Sequence, residues 1–403
     1  MRLWTAQTVS AFGSRITRTA LPIIAVKSLG ASPLGVAILG AMGVAPGIGV
    51  ALFASGRIDR TAKRRALIAM DLTRAALLLT LPAAAFFGTL AVWQLWLVAG
   101  LTGAATMTFR MADIAYLPRL VLPAQILEGN TKLQTTEAIA EIGGPSIAGI
   151  LIQMITAPGA IIVDALTFGW SAWWLWRIEA KEEAVGEVAP THPFADIAIG
   201  WRACASHPLI RLVLAAHVLW LVFGGFFMAL YMIFLLRDLG QSEAIVGVVI
   251  GAGGIGALAG AAVAGFISRA RGYGPALVMC VAAWIAATAF VPLAQGAGAM
   301  TLPLLFAQQL LGDGFLTAFM ILQVSMQQAL LPLDIQARVA AVFHIAEGVA
   351  LPAGAFIAAP LAGVVGIADT LWIAVSCALI AAVFLGFSKL WAFRELPTTD
   401  RAR

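Results

Sequence analysis

One stretch decides how this sequence folds: SGRIDRTAKRR, residues 55–65. More than half of its residues are charged, yet it connects two long apolar stretches, 34–55 and 66–87. An apolar segment of about 20 residues is what a helix needs to cross the hydrocarbon core of a bilayer. A short basic loop between two such segments predicts a helical hairpin in a membrane, with the loop on the cytoplasmic side.

Apolar stretches of this kind recur along the whole chain. The sequence has 403 residues, 61% apolar and 11% charged, whereas a soluble domain carries about 25% charged residues. We therefore predict an all-α membrane protein of about twelve transmembrane helices. The first span is too long for a signal peptide, so no cleaved leader is expected. The predicted spans are 3–26, 34–55, 66–87, 91–112, 130–153, 159–176, 209–235, 243–267, 275–294, 300–322, 338–363 and 368–390.

The basic residues predict the orientation of these spans. Of the 25 Lys and Arg residues, only Lys27 and Arg237 fall on the side opposite to loop 55–65, and Arg15, Arg18 and Arg74 lie within spans. Cytoplasmic loops carry the excess of Lys and Arg, so both termini are predicted to be cytoplasmic. The net charge of +5 is explained in the same way and does not indicate nucleic-acid binding.

The two halves of the sequence repeat each other weakly. Similar short segments recur in order at offsets of 205 to 209 residues, and four in order are hard to attribute to chance. This predicts a six-helix bundle at 1–178, a cytoplasmic linker at 179–207 and a second bundle at 208–403, with a substrate site between the halves. The matching segments are 56–60 with 265–269, 122–123 with 331–332, 139–141 with 345–347, and Asp164 with Asp369.

Loop 55–65 resembles the loop motif of the major facilitator superfamily: a small residue, then Asp-Arg, two residues, and two basic residues. Ser55 stands where that family usually has glycine. The resemblance implies two six-helix halves that rock about a central cavity. Asp59 can pair with a nearby arginine and face a helix N-terminus, which would latch the cytoplasmic ends. The expected gate residues are Ser55, Gly56, Asp59, Arg60, Lys63 and Arg64.

Three further stretches narrow the resemblance. Residues 12–22 read FGSRITRTALP, residues 116–118 read YLP, and residues 143–149 carry Gly143, Gly144, Pro145 and Gly149. They are similar to the drug and siderophore exporters of that superfamily, which include enterobactin and macrolide exporters. In the family the Gly-Pro region of the fifth span is associated with antiporters. A kinked packing helix explains the same residues equally well.

Charged side chains inside the spans are the strongest local signal. Arg15 and Arg18 share one face of the first span, and Glu137 and Glu141 share one face of the fifth. A charge within a membrane needs a partner or an aqueous cavity, so we hypothesise that these two faces meet. Glu141 would then take up a proton when the pairs open. A permanent structural ion pair and a substrate-binding role remain open alternatives.

The second half offers fewer candidates. His217, Asp313 and Glu347 lie within spans, with His344 beside Glu347, and Glu347 is the repeat partner of Glu141. A histidine among apolar residues is more often a hydrogen-bonded packing residue than a proton carrier. The segment GAGGIG, 251–256, satisfies a dinucleotide-binding pattern but lies inside an apolar span, so we interpret it as a helix-packing face.

The repeated halves predict a secondary transporter, and the resemblance implies that it exports amphiphilic drugs or secondary metabolites in exchange for protons. No catalytic constellation or phosphate-binding loop is present, and the scattered Cys204, Cys280 and Cys377 do not indicate a metal site. The expected partners are the lipid bilayer and a small molecule, without cofactor or nucleic acid, in a monomer of the bacterial inner membrane. The alternatives are a substrate-specific siderophore exporter, a lysophospholipid flippase and a non-transporting membrane sensor.

Overall fold

The computed structural model describes residues 1–53, 61–120, 122, 125–179 and 193–394. Within these ranges the regular structure is helical and no strand occurs, which confirms the all-α prediction. Helices satisfy their own backbone hydrogen bonds, as a segment in lipid must. Contacts divide the chain into two compact units: Met1–Thr191 with Gly240–Gly251, and His192–Leu239 with Ala252–Arg403.

The described part of the first unit contains six long helices that pack in a defined order. Helix α1 lies between α5 and α6, α6 also packs on α3, and α3 packs on α4, which contacts α2. α1 therefore touches two different neighbours along its length. The helices are α1 Arg2–Ile23, α2 Pro33–Phe53, α3 Lys63–Phe86, α4 Val92–Leu120, α5 Ile126–Ile155 and α6 Ala157–Trp176.

The second unit has the same order of neighbours. Helix α8 lies between α12 and α13, α13 packs on α10, and α10 packs on α11. The amphipathic part of the predicted linker forms α7, which packs on α12 within this unit. The helices are α7 Pro193–Ser206, α8 Pro208–Ile233, α9 Glu243–Arg271, α10 Tyr273–Thr288, α11 Thr301–Leu330, α12 Leu333–Val365 and α13 Ile367–Gly386. Residues 243–251 of α9 belong to the first unit and the rest of that helix to the second.

Two local features also recur in both halves of the chain. Each first helix ends in a π-helical turn, Ile24–Ser28 after α1 and Phe234–Asp238 after α8. A glycine with positive φ follows each turn: Gly30 at 61° and Gly240 at 59°, a conformation that favours glycine. The repeat in the sequence therefore corresponds to a repeat in local backbone structure.

The lengths of the helices agree with a membrane location. In the described ranges nine helices are long and apolar enough to cross a bilayer. α1, α6 and α13 lie where spans are predicted, and Ile367–Ile380 of α13 is a shorter apolar helix. Several helices, such as α4 and α12, continue beyond the predicted spans and exceed the length that the hydrocarbon core requires.

The glycine-rich segment 251–256 is a packing face, as predicted. A Cβ atom on Gly256 would collide with the backbone carbonyl of Leu310, and one on Gly260 with that of Gly314. The absence of side chains thus allows the backbones of α9 and α11 to approach closely. This contact explains the glycines without any nucleotide.

Candidate functional site

The charged faces of α1 and α5 meet within the first unit. Nη2 of Arg15 lies 2.8 Å from Oε2 of Glu137 and 2.8 Å from Oε2 of Glu141. Arg18 forms an ion pair with the other oxygen of Glu141. Glu141 is therefore held by two arginines, whereas Glu137 contacts Arg15 alone among the ion pairs of the described residues. The four side chains form one site, which we call the α1–α5 charge cluster.

The cluster is partly exposed and formally neutral. The side chain of Arg15 is 18% exposed, whereas those of Glu141 and Arg18 are 44% and 56% exposed. Two guanidinium groups balance two carboxylates, so the arginines do not offer an uncompensated positive charge to an acidic substrate. Such a substrate would have to displace a glutamate first, at the cost of an existing charge-assisted hydrogen bond.

The Gly-Pro region of α5 shapes this cluster directly. A Cβ atom on Gly144 would lie 2.5 Å from Cβ and 2.7 Å from Cγ of Arg15, so only glycine leaves room for that arginine. Pro145 has no N–H and cannot donate to the carbonyl of Glu141, four residues earlier in the helix. Gly144 thus leaves the space that Arg15 occupies beside Glu141, and Pro145 leaves the backbone carbonyl of Glu141 without its usual helical donor.

We expect Gly144→Ala to disturb the cluster and Gly143→Ala to leave it intact. At Gly143 the nearest atom to a new Cβ is Cε1 of Phe12 at 3.6 Å, an ordinary contact. Alanine in a helix gains about 0.5–1 kcal/mol over glycine, whereas overpacking costs about 1–3 kcal/mol. Gly143→Ala should therefore be neutral or stabilising in detergent unfolding, and Gly144→Ala destabilising with loss of transport. Equal behaviour of the two variants would contradict this geometry.

Gly149 has a different role within the first unit. A Cβ atom on it would meet the backbone of Glu243 and Gly247, in the first turns of α9. Nearby, Nζ of Lys27 lies 2.7 Å from Oε1 of Glu243. Residues 240–251 belong to this unit by their contacts, and Gly149 permits the close approach. Of the predicted Gly-Pro motif, Gly144 thus serves the charge cluster and Gly149 serves helix packing.

The predicted residues of the second unit form a smaller cluster on α8 and α12. Nε2 of the buried His217 lies 3.8 Å from Oε1 of Glu347, whose Oε2 lies 3.2 Å from Nδ1 of His344. Nδ1 of His217 lies 2.8 Å from Oε1 of Gln323. Asp313 is not part of this group and lies against Gly253 of α9. The structure therefore brings His217 and Glu347 together and places Asp313 elsewhere.

The predicted gate motif is only partly described. Ser55, Gly56, Asp59 and Arg60 lie outside the described residues. At the start of α3, Lys63 is 1% exposed, and Nε of Arg64 donates to the carbonyl of Leu175 at 2.9 Å. Arg64 also donates to the carbonyl of Trp176. A cation at the final carbonyls of α6 stabilises the end of that helix.

The first unit contains a second cluster of charged residues, which the sequence analysis did not predict. Asp71 and Arg74 of α3 form an ion pair and are 0% and 5% exposed. The Arg74 guanidinium lies 4.4 Å from the ring centre of Phe109 and 4.1 Å from that of Phe168. Asp164 of α6 is also 0% exposed. The spacing of Asp71 and Arg74, three residues apart within one span, could have indicated their pairing.

Comparison with known proteins agrees with this architecture. The family described as transmembrane secretion effector matches residues 1–402. The chain belongs to this family. A protein of Bacillus subtilis (strain 168), named uncharacterized MFS-type transporter YvqJ, is 23% identical over 399 residues, 94% of this chain and 92% of that protein. The predicted superfamily is confirmed, and this member is a multi-pass membrane transporter of the major facilitator type.

Solved structures show the same fold. A bacterial homologue of the iron transporter ferroportin, in its inward-facing state, is 15% identical with a TM-score of 0.76 and covers 97% of this chain and 98% of its own. The nucleoside transporter NupG is 12% identical with a TM-score of 0.73, covering 98% and 100%. In the present structure, no group of three or more His, Cys, Asp or Glu among the described residues is placed to hold a metal ion.

Proposed function

We propose that this transporter exports amphiphilic small molecules, drugs or secondary metabolites, in exchange for protons by alternating access. It works in the inner membrane of a bacterium, with about twelve spans, cytoplasmic termini and the proton motive force as its energy source. The observation that supports exchange is the α1–α5 charge cluster. Its central carboxylate, Glu141, is shared by Arg15 and Arg18.

One proton is enough to change the state of this cluster. Protonation of Glu141 removes the charge that holds Arg15 and Arg18, and Arg15 keeps Glu137 as its partner. α1 is then tied to α5 by fewer ion pairs, which lowers the cost of a movement between them. Trp4 and Thr136 retain a hydrogen bond at 3.0 Å between the same helices. The helices can thus shift at the cluster while they stay associated elsewhere.

The same proton changes the charge that a substrate meets. The cluster is neutral with Glu141 ionised and carries one positive charge with Glu141 protonated. A cationic amphiphile is repelled by the protonated form. The proton and such a substrate therefore exclude each other, which is the property that exchange requires. This argument favours amphiphiles with a cationic group over acidic ones.

Accumulation in an exporter-deficient bacterial host tests this function. Cells with the wild-type protein or an empty vector receive a panel of dyes, macrolides and siderophores, with and without a protonophore. We expect several-fold lower accumulation of at least one cationic amphiphile, abolished by the protonophore. Export of siderophores alone would indicate a dedicated metabolite exporter. No difference for any compound, with correct membrane insertion, would contradict the proposal.

A further inference from the structure

The interior of the first unit holds a carboxyl group that the proposed exchange does not use. Asp164 of α6 lies against α1, where a Cβ atom on Gly13 would collide with the Asp164 carboxylate and with Thr167. Thr17 of α1 donates a hydrogen bond to Oδ2 of Asp164. Arg74 and Asp71 of α3 lie close enough to interact electrostatically with this carboxylate. All three charged groups are buried.

The charges of this group do not balance. Asp71 is paired with Arg74, so an ionised Asp164 would leave one uncompensated negative charge in the interior of a membrane protein. A buried charge without a counter-ion is among the most costly features that a fold can contain, and such a group tends to become neutral instead.

The hydrogen bonds of Thr167 accommodate a proton on Asp164. Its hydroxyl oxygen lies 2.8 Å from the backbone carbonyl of Asp164 and 3.1 Å from Oδ1 of the same residue. A hydroxyl has a single proton to donate, and the carbonyl, which can only accept, is the nearer partner. Thr167 can therefore donate to Oδ1 when that oxygen is ionised, or keep its proton on the carbonyl and accept a hydrogen bond from Oδ1 when that oxygen is protonated.

Among the described residues, the charged side chains of the helices that pack on α6 offer Asp164 no counter-ion besides Arg74, which Asp71 already occupies. α6 carries no second charged residue, and those of α1 and α5 are paired with one another or lie at the helix ends. The groups concerned are Arg15 and Arg18 with Glu137 and Glu141, Lys132 with Glu128, Asp71 with Arg74, and, at the starts of helices, Arg2, Lys63, Arg64 and Arg65.

We propose that Asp164 is a second proton-binding site, with the proton on Oδ1 and donated to Thr167. The bound proton does not depend on the proposed export; its use in transport does. α1 connects the two sites, because Gly13 and Thr17 face Asp164 while Arg15 and Arg18 face α5. Loss of the proton from Asp164 would place a negative charge at the contact between α1 and α6 and weaken that contact. In the proposed exchange, protonation of Glu141 weakens the contact between α1 and α5.

Infrared spectroscopy of protein labelled with ¹³C at the aspartate carboxyl groups tests this site without a transport assay. The wild-type protein is expected to show a protonated, buried aspartic acid band at neutral pH. Asp164→Asn should remove that band, and Thr167→Val should shift its frequency without removing it, because the carboxyl group loses its acceptor. Asp369→Asn, at an exposed position in the first turn of α13, is the control that leaves the band unchanged.

Three results would overturn the assignment. The first is the absence of any protonated aspartate band in the wild type at neutral pH, a measurement that requires no variant to fold. The second is a band that persists in Asp164→Asn, and the third is a band that disappears in Asp71→Asn while Asp164 is intact. Failure of the export assay with a band that follows Asp164 would refute the proposed function and leave this site in place.

Discussion

Replacing Arg74 by methionine is expected to lower the free energy of unfolding by about 3–5 kcal/mol, the usual cost of removing one partner of a buried ion pair. The guanidinium group is 5% exposed, pairs with Asp71 and lies between the rings of Phe109 and Phe168. Methionine replaces the apolar contacts but leaves Asp71 unpaired. Reversible unfolding of purified protein in mixed micelles measures the change.

Two further variants separate loss of charge from loss of packing. Asp71→Asn in the Arg74→Met background removes the stranded carboxylate and should recover a large part of the lost stability. Arg110→Met changes the same residue type at an exposed position of α4 and should stay within about 0.5 kcal/mol of the wild type. If the double variant were no more stable than Arg74→Met, the effect would come from packing, and the charge argument would be wrong.

Much of this fold is predictable because few kinds of secondary structure can satisfy their backbone hydrogen bonds in lipid. A chain with 61% apolar residues in segments of span length has helices as its main solution, and nine described helices fulfil that expectation. Helix ends are less predictable. α4 continues through Leu120 and α11 through Leu330, both beyond the predicted apolar spans. Hydropathy identifies the apolar part of a helix, and its polar continuation carries no comparable signal.

The candidate site was predictable to the extent that charge complementarity determines it. Arg15 and Arg18 require counter-charges, and Glu137 and Glu141 offered them at matching spacing, so the contact between α1 and α5 could be expected. The roles of Gly144 and Asp164 could not be predicted in this way. The role of Gly144 depends on which α1 side chain lies opposite, and that of Asp164 on the neighbours that α3 and α1 provide. Only tertiary structure supplies this information.

The α1–α5 cluster leads to the prediction with the largest expected effect on transport. Glu141→Gln should reduce substrate-driven proton flux to background, because the variant cannot alternate between the charged state that binds Arg15 and Arg18 and the neutral state that releases them. Everted membrane vesicles acidified inside, with a pH-sensitive dye, measure this flux when an exported compound from the panel is added. Because glutamine keeps the size of the side chain, the expected loss of proton flux reflects the missing ionisable group and not a change in packing.

Glu137→Gln is the matched comparison, on the same helix one turn away. Glu137 contacts Arg15, which keeps Glu141 as a partner at 2.8 Å when Glu137 is neutralised. The ion pair between Arg18 and Glu141 is also untouched. We therefore expect a partial loss of flux from Glu137→Gln and a complete loss from Glu141→Gln. Full proton-coupled transport by Glu141→Gln would reduce the cluster to a structural ion pair, and equal partial losses would mean that neither carboxylate alone carries the proton.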